Sequence, residues 1–234
     1  MIKKKILFWI FSIILLLALA LGVFIYKATN GLPFYDKKPP IINTDFKEFA
    51  IPNFTKTNGY RHGSAIKAST TKLDSIATAH GWTLYTTKNA AIHNKEQLAQ
   101  FDLVIWNNAT GRNLTDKQRA AFKEYMENGG GFLGIHGAGD FSHHWEWYEE
   151  TLIGANFSHH SLDPQIQSAD MHLECDSTSH LNCQNLPKKW TRSEEWYVFF
   201  DNPREKDFNV LYTVDENTFN PSGNMKYLVS NSLV

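Results

Sequence analysis

A glycine-rich stretch at residues 129–140, GGGFLGIHGAGD, constrains the fold of this chain more than any other feature. Its three leading glycines predict the end of a helix, because glycine enters the left-handed cap conformation without steric cost. Residues 132–135 form a short apolar run, typical of a central parallel strand. The stretch therefore predicts an elbow that presents His136 at the carboxyl edge of a sheet, where open α/β sheets bind ligands. A glycine-rich turn with an incidental histidine is the alternative.

Strand and helix patterns alternate along the rest of the chain. Ser64 is the predicted N-cap of one helix, and Thr115 with Gln118 has the spacing of a capping box. Alternation of this kind predicts an α/β fold with a doubly wound, mostly parallel sheet and right-handed crossovers. The predicted helices cover residues 64–80, 95–100, 115–128 and 145–153, and the predicted strands cover 49–54, 82–87, 103–106, 132–135, 166–174, 190–200 and 209–214.

The N-terminus carries an unbroken apolar run over residues 6–26, preceded by three lysines. The run is long enough to cross a bilayer as a helix, so we expect the chain to meet a membrane there. The lysines predict a cytoplasmic N-terminus and a domain on the exported side, periplasmic or extracellular. A signal peptide cleaved after Ala18-Leu19-Ala20, which has the small-x-small pattern of a cleavage site, is the alternative, although signal peptides have shorter apolar cores.

The remaining chain divides into two parts by composition. After the anchor at residues 1–29, residues 30–46 are rich in proline and charge and predict a linker, and residues 47–234 form the domain. Cys175 and Cys183 lie close together in a polar loop, where an exported domain favours a disulfide. The net charge of -1 implies no nucleic-acid partner.

Known catalytic motifs match the elbow only in outline. Residues 137–142 lack the third glycine of a dinucleotide fingerprint. Residues 134–138 have the outline of a nucleophile elbow, but with histidine in place of serine or cysteine. Imidazole suits general acid–base work or metal binding, because its pKa lies near neutral pH.

Histidines gather around and after the elbow, at His136, His143, His144, His159 and His160. A metal site needs three or four converging ligands, and no pair here has the helical i, i+4 spacing of a zincin. Histidines exposed in loops are therefore the default interpretation.

Aromatic and acidic residues offer a second chemistry. Flat aromatic faces suit sugar rings, although much aromatic area in any domain is core packing. Paired carboxylates could run acid–base chemistry on a glycoside, with Asp140 and the pair Glu194 and Glu195 as candidates. The aromatic candidates are Trp145, Trp147, Tyr148, Trp196 and Tyr197.

Several motifs together resemble the trehalose-utilisation, or ThuA-like, family over roughly residues 54–225. They follow one another in the family's order, which makes the resemblance specific. The motifs are TKTNGYRH at 55–62, the stretch at 129–140, WEWY at 145–148, LIGANF at 152–157 and EWY at 195–197.

The resemblance implies a flavodoxin-type fold like that of class I glutamine amidotransferases. Those enzymes carry a cysteine at the elbow where this chain has His136, so glutaminase activity is not implied. It does imply carbohydrate metabolism, and the activity expected from the resemblance is acid–base chemistry on a keto-disaccharide or glycoside by a lyase, hydrolase or isomerase. His136, His62, Asp140 and Glu195 fall at family motif positions as catalytic candidates, and Arg61 as a substrate-binding one. No cofactor or metal is assigned.

The C-terminus departs from the family pattern. Family members continue with a His-Pro-hydrophobic-Trp-like segment and a late strand, whereas this chain reads KYLVSNSLV over residues 226–234 and stops. We therefore expect a domain that lacks a final strand or two and one site residue, as a fragment, a frameshifted product or a diverged form would. An uncovered sheet edge or an incomplete pocket would follow.

Three functions remain open from the sequence. The first is a membrane-anchored domain that modifies a small-molecule carbohydrate. The second is a non-catalytic carbohydrate-binding domain that uses the aromatic faces. The third is a metal-dependent hydrolase that uses the histidine cluster.

Overall fold

The computed structural model describes residues 2–43, 46, 49–175 and 183–222. The chain forms two compact units, unit 1 (Met1–His144) and unit 2 (Trp145–Val234). The atypical C-terminal residues 226–234 lie outside the described part. Helix α1 (Ile2–Asn30) is apolar over Lys4–Lys27 and long enough to cross a membrane, a property that signal sequences share.

Unit 1 contains a four-stranded sheet in which every pair is parallel and the strand order is β2-β1-β3-β4. This mostly parallel sheet with helices confirms the predicted fold class. Its strands are β1 (Ala50–Phe54), β2 (Thr83–Thr87), β3 (Leu103–Asn107) and β4 (Gly131–Ile135). Its helices after α1 are α2 (Gly63–His80), α3 (Lys95–Leu98) and α4 (Asp116–Glu127).

Strand β1 lies inside the sheet although it contains Pro52, which has no N–H to donate to a neighbouring strand. Its pairing with β3 is confined to Asn53 and Phe54, after the proline. Before the proline, the Ala50 amide donates to the Asp102 carboxylate at 2.9 Å. The Asp102 side chain thus accepts the hydrogen bond that a backbone carbonyl of the neighbouring strand would otherwise accept.

The ends of α2 and α4 agree with the predicted caps, except for the N-cap residue of α2. Helix α2 begins at Gly63 and has His62, not Ser64, at the N-cap position, without a side-chain capping bond. The capping box of α4 is present as predicted, with reciprocal bonds between Thr115 and Gln118. Gly129 adopts φ 92°, which confirms the predicted helix stop.

The core of unit 1 is aromatic. Trp106 of β3 stacks on Phe122 of α4 with ring centroids 5.2 Å apart, and Phe54 of β1 packs against both Trp106 and His93. All four side chains are almost completely buried. These contacts join the central strands to α4 and fix the edge of the sheet from which the elbow projects.

Unit 2 departs from the predicted strand–helix repeat, because its strands pair antiparallel in two small sheets. One predicted strand, 190–200, divides in two because its halves pair with different partners. Strand β5, with the sequence FSHH, was not predicted. The strands are β5 (Phe157–His160), β6 (Gln167–Leu173), β7 (Lys189–Glu194), β8 (Tyr197–Phe199) and β9 (Tyr212–Val214).

Two other predictions for unit 2 can be checked directly. The predicted helix at 145–153 is a π-helix over Trp147–Ile153 that ends at Gly154, whose φ is 79°. Cys175 and Cys183 form the predicted disulfide.

Candidate functional site

Loops that follow β1, β3 and β4 meet at the carboxyl edge of the unit 1 sheet. A Cβ on Gly111 would lie 2.4 Å from the Gly59 nitrogen, and one on Gly137 would lie 2.8 Å from Thr110 Cγ2. Real Cβ atoms essentially never approach other atoms this closely, so a larger residue at either position would force its neighbours to shift. The Asn58 amide donates to the Thr110 carbonyl at 2.9 Å and joins the first two loops.

His136 begins the turn at the end of β4 in a left-handed conformation, with φ 47°. This conformation costs a residue with a side chain about 1–2 kcal/mol relative to the right-handed one. Strained residues of this kind concentrate at functional sites, where the surrounding structure holds them. The predicted elbow is therefore present, and His136 is its strained residue.

His62 lies beside His136. The two imidazole rings have centroids 4.6 Å apart and meet edge to face at 81°. The His62 ring also lies beside the ring of Tyr60, with centroids 4.9 Å apart. The structure thus brings together two catalytic candidates that the sequence separates by more than seventy residues.

Arg61 is exposed next to this pair. Its Nη1 donates to the Thr55 carbonyl at 3.1 Å and to Thr57 Oγ1 at 3.3 Å. A guanidinium carries five N–H donors in a planar fork. These two bonds hold the group in place and leave other donors of the fork for a polar group of a substrate.

Asp140 has a local structural role. Its Oδ1 accepts the Ser142 amide at 2.9 Å and the Ser142 hydroxyl, and so caps the short 3₁₀ turn Phe141–His143. Ser142 Oγ also accepts the Gly111 amide at 2.6 Å. Asp140 therefore ties the loop that carries His136 to the loop after β3.

Asn108 is a residue of this edge that sequence reasoning passed over. It follows β3 as His136 follows β4, and it too is left-handed, with φ 52°. Its amide nitrogen donates to the Ile135 carbonyl at 3.1 Å, so it holds the chain immediately before His136. Its side-chain Oδ1 is buried without a hydrogen-bond partner among the described residues. The sequence does contain a signal for this position, an asparagine shortly after an apolar run. Asparagine adopts the left-handed conformation more readily than most residues that have a side chain.

Unit 2 contains a carboxylate of its own at Glu195, which is only 5% exposed. It lies at the junction where the chain leaves β7 for β8. Its Oε1 accepts Gln165 Nε2 at 2.5 Å and lies 3.3 Å from His160 Nδ1. Buried carboxylates with a histidine neighbour are candidates for proton transfer. Sequence reasoning identified Glu195 but not its pairing with His160.

The aromatic candidates of unit 2 differ in exposure. Tyr148 is completely buried and stacks on Trp145, so it contributes to the core and offers no face to a sugar. Trp145 and Trp147 are half-buried with rings 5.1 Å apart. Trp196 is half-buried and donates its Nε1 to the Gln167 carbonyl, and Tyr197, also half-buried, stacks on His160.

Two members of the histidine cluster are not solvated loop residues as the default interpretation expects. His143 packs against Trp106 at 5.4 Å, and burial lowers its pKa to about 4. His159 is also buried, and burial together with the neighbouring His160 lowers its pKa. Both are held neutral near pH 7 by their surroundings.

A metal ion could use part of the unit 1 edge. His62 and His136 present two adjacent imidazoles, which are common ligands of zinc and other transition metals. Zinc sites use at least three protein ligands. The pair therefore fits part of such a site and equally fits proton transfer without a metal.

Among the comparisons with known proteins, a family model identifies the family and a solved structure supports the fold. The family model described as "Trehalose utilisation" (ThuA) matches residues 52–229. A crystal structure of a ThuA-like protein from Bacteroides uniformis superimposes with a TM-score of 0.64 at 24% identity, covering 84% of this chain and 77% of that one. No curated protein matches significantly. Since the family match spans most of the chain, the chain belongs to the ThuA, or trehalose-utilisation, family.

Proposed function

We propose that this ThuA-family protein carries out acid–base chemistry on a sugar derivative, with His136 as the proton-transferring residue. The observation that carries the proposal is the position of His136. It is held left-handed at the end of β4, with its ring against the ring of His62. The family supports a role in carbohydrate metabolism in broad terms.

A keto-disaccharide or a related glycoside is the substrate class that suits this chemistry. A carbonyl acidifies the neighbouring C–H bond, and a neutral imidazole can take that proton and later return it. Negative charge then develops on the carbonyl oxygen. His62 lies at the N-terminus of α2, where the helix dipole favours negative charge. His62 would therefore donate a hydrogen bond to the carbonyl oxygen, and His136 would take the proton from the carbon.

The other predicted site residues have proposed roles that follow from their surroundings. Arg61 would hold a polar group of the substrate. Asp140 would position the turn that carries His136. Within unit 2, Glu195 would act as a proton-transferring group, supported by its burial and its contact with His160. Trp145, Trp147, Trp196 and Tyr197 would offer partial faces to sugar rings, whereas Tyr148 would act only through packing.

We further propose that α1 is an uncleaved anchor that leaves the domain on the exported side of the membrane. Its apolar span covers Lys4–Lys27 and continues past the candidate cleavage site at 18–20. Lysines at its start favour a cytoplasmic N-terminus.

The proposal is tested by a turnover and thermal-shift screen of the full chain in detergent, with disaccharides and their keto derivatives. His136→Asn is the sharpest variant, because asparagine accepts the left-handed conformation but cannot transfer the proton. We expect turnover to fall by about 10²–10⁴-fold, the usual contribution of a general acid or base, while the thermal shift by substrate is retained. His80→Asn, at the exposed far end of α2, is the matched control.

Two outcomes contradict the proposal. Unchanged turnover in His136→Asn would remove His136 from the chemistry. A thermal shift without turnover in the native chain would favour the carbohydrate-binding alternative.

A metal-dependent hydrolase is the second candidate, favoured by the adjacent imidazoles of His62 and His136. It predicts stoichiometric zinc or another transition metal in protein purified without a histidine tag. It also predicts that His62→Ala and His136→Ala each lose that metal. Protein that turns over substrate and contains no such metal would exclude it.

A further inference from the structure

The chain leaves helix α1 directly onto the edge of the sheet that carries the candidate site. The Gly31 amide donates to the Lys27 carbonyl at 2.9 Å, so the helix is continuous from the apolar span to the domain. Four residues of helix advance about 6 Å. The first residues after α1 therefore lie close to the end of the apolar span.

These first residues bind the loops that follow β1 and β3. Leu32 donates its amide to the Asn58 carbonyl at 3.0 Å, and Asn58 Nδ2 donates to the Phe34 carbonyl at 3.2 Å. Gly31 approaches Gly111 so closely that a Cβ on Gly31 would lie 2.8 Å from the Gly111 Cα. The carboxyl edge of the sheet is thus attached to the exit of α1.

The segment that the sequence predicts as a linker continues along unit 1. The Asp36 carboxylate forms an ion pair with Lys56 at 2.5 Å and accepts the Ala90 amide at 2.9 Å. Its carbonyl accepts Gln118 Nε2 at 2.7 Å. The Pro40 carbonyl accepts a further side-chain bond at 2.7 Å. A segment bound at this many points does not act as a free spacer between helix and domain.

Exposed aromatic side chains surround this attachment. Phe34 is 68% exposed, Tyr35 39%, Tyr60 48% and Phe141 38%. The Phe34 carbonyl accepts a hydrogen bond from Asn58 Nδ2, and the Tyr60 carbonyl accepts one from Thr110 Oγ1. Phe141 precedes Ser142, whose Oγ accepts the Gly111 amide. Helix α1 also packs against the turn that contains Phe141. We call these four residues the aromatic patch.

Tryptophan and tyrosine are enriched at both ends of membrane spans, because their amphipathic rings are stable at the level of the lipid headgroups. Lys37 and Lys38 are exposed in the same segment. Lysine side chains near the end of a membrane span can extend their charged groups to the level of the lipid headgroups. The composition and the position of this surface therefore match a membrane interface.

We propose that the aromatic patch is a membrane-contacting surface, seated at the headgroup level of the bilayer that α1 spans. Tyr60 belongs to the patch and its ring touches His62, whose ring touches His136. The patch therefore holds the candidate site at the lipid surface. This inference requires that α1 stays attached, as proposed above, but it does not depend on the reaction that the site performs.

The test uses the full chain reconstituted in vesicles of phosphatidylcholine with a minority of phosphatidylglycerol, with and without brominated acyl chains. A polarity-sensitive fluorophore is attached at Lys37→Cys, beside the patch. A second sample carries it at Glu127→Cys, at the end of α4 and the opposite edge of the sheet. The native cysteines are bonded to each other and do not react.

We expect the label at position 37 to show blue-shifted emission and strong quenching by brominated lipid, and the label at 127 to show neither. Phe34→Ser with Phe141→Ser, added to the Lys37→Cys protein, should reduce both signals while α1 keeps the chain in the vesicle. Equal quenching at 37 and 127 would overturn the proposal. So would unchanged quenching in the double variant, or release of a soluble product cleaved within α1.

Discussion

At the scale of single residues, two strained positions mark the candidate site. Asn108 follows β3 and His136 follows β4, and both are left-handed, with φ 52° and φ 47°. A hydrogen bond from the Asn108 amide to the Ile135 carbonyl joins them. Backbone strain is thus concentrated where the two parallel strands end, which is where ligands bind in open α/β sheets.

The strain at His136 predicts a difference between two variants that both lack the imidazole. Glycine adopts the left-handed conformation freely, whereas alanine does not. We expect His136→Gly to be more stable to unfolding than His136→Ala by about 1 kcal/mol. Denaturant unfolding followed by tryptophan fluorescence measures the difference. Equal stability would mean that His136 is not strained in solution.

His93 shows a different residue-scale effect, in the core of unit 1. Its Nε2 accepts the Trp106 indole N–H at 3.0 Å, and its Nδ1 donates to the Ala90 carbonyl at 3.0 Å. The partners fix the tautomer, because an indole only donates and a carbonyl only accepts. Burial lowers the pKa of His93 to about 4. The ring is therefore neutral in the folded state at any pH well above 4.

This lowered pKa predicts that stability falls on acidification. Below pH 6.5 the unfolded chain binds a proton at His93 that the folded chain does not, so the loss grows from pH 6.5 down to about 4. The full loss is about 3 kcal/mol. Unfolding measured at several pH values in this window should show a shallower slope for His93→Gln, which keeps an acceptor for Trp106. His80→Gln, at an exposed site, should keep the native slope.

At the scale of elements, the site depends on loops that approach one another more closely than side chains allow. Gly137 faces Thr110, and a Cβ there would lie 2.8 Å from Thr110 Cγ2 and 3.4 Å from His62 Cδ2. The glycines of the elbow therefore do more than permit a turn. They bring the loop that carries His136 against the loop after β3 and against His62.

This contact predicts a rescue experiment. Gly137→Ala should destabilise unit 1 by about 1–3 kcal/mol, as overpacking does in a close-packed interior. Thr110→Ser removes the methyl group that the new Cβ meets and keeps the hydroxyl that donates to the Tyr60 carbonyl. The double variant should recover part of the lost stability, and a double-mutant cycle measures the coupling. Simple additivity of the two changes would contradict this packing.

At the scale of the whole molecule, the apolar helix α1 predicts attachment to a membrane. Helix α1 is long and apolar enough to span a membrane, and it continues directly into unit 1. We expect the intact chain to sediment with membranes and to resist extraction by alkaline carbonate, which removes peripheral proteins. A soluble product that begins near Leu21 would show instead that α1 is a cleaved signal peptide.

Local sequence signals predicted the elements of unit 1 and the family. Glycine stops, a capping box and short apolar runs are local features, and they gave the helix end at Gly129, the capping box at Thr115 and the strand before His136. The family motifs identified His62 and His136 as candidates. The disulfide between Cys175 and Cys183 also followed from the sequence.

The sequence by itself determined the α/β class, the apolar helix and the position of the elbow, because each depends on residues that are neighbours in the chain. Only the tertiary structure decided which residues meet. It paired His62 with His136, buried Tyr148 and His143, divided residues 190–200 between two sheets and bound residues 31–40 to the domain. These outcomes depend on contacts between residues far apart in sequence, and no local pattern records the packing that makes such contacts favourable.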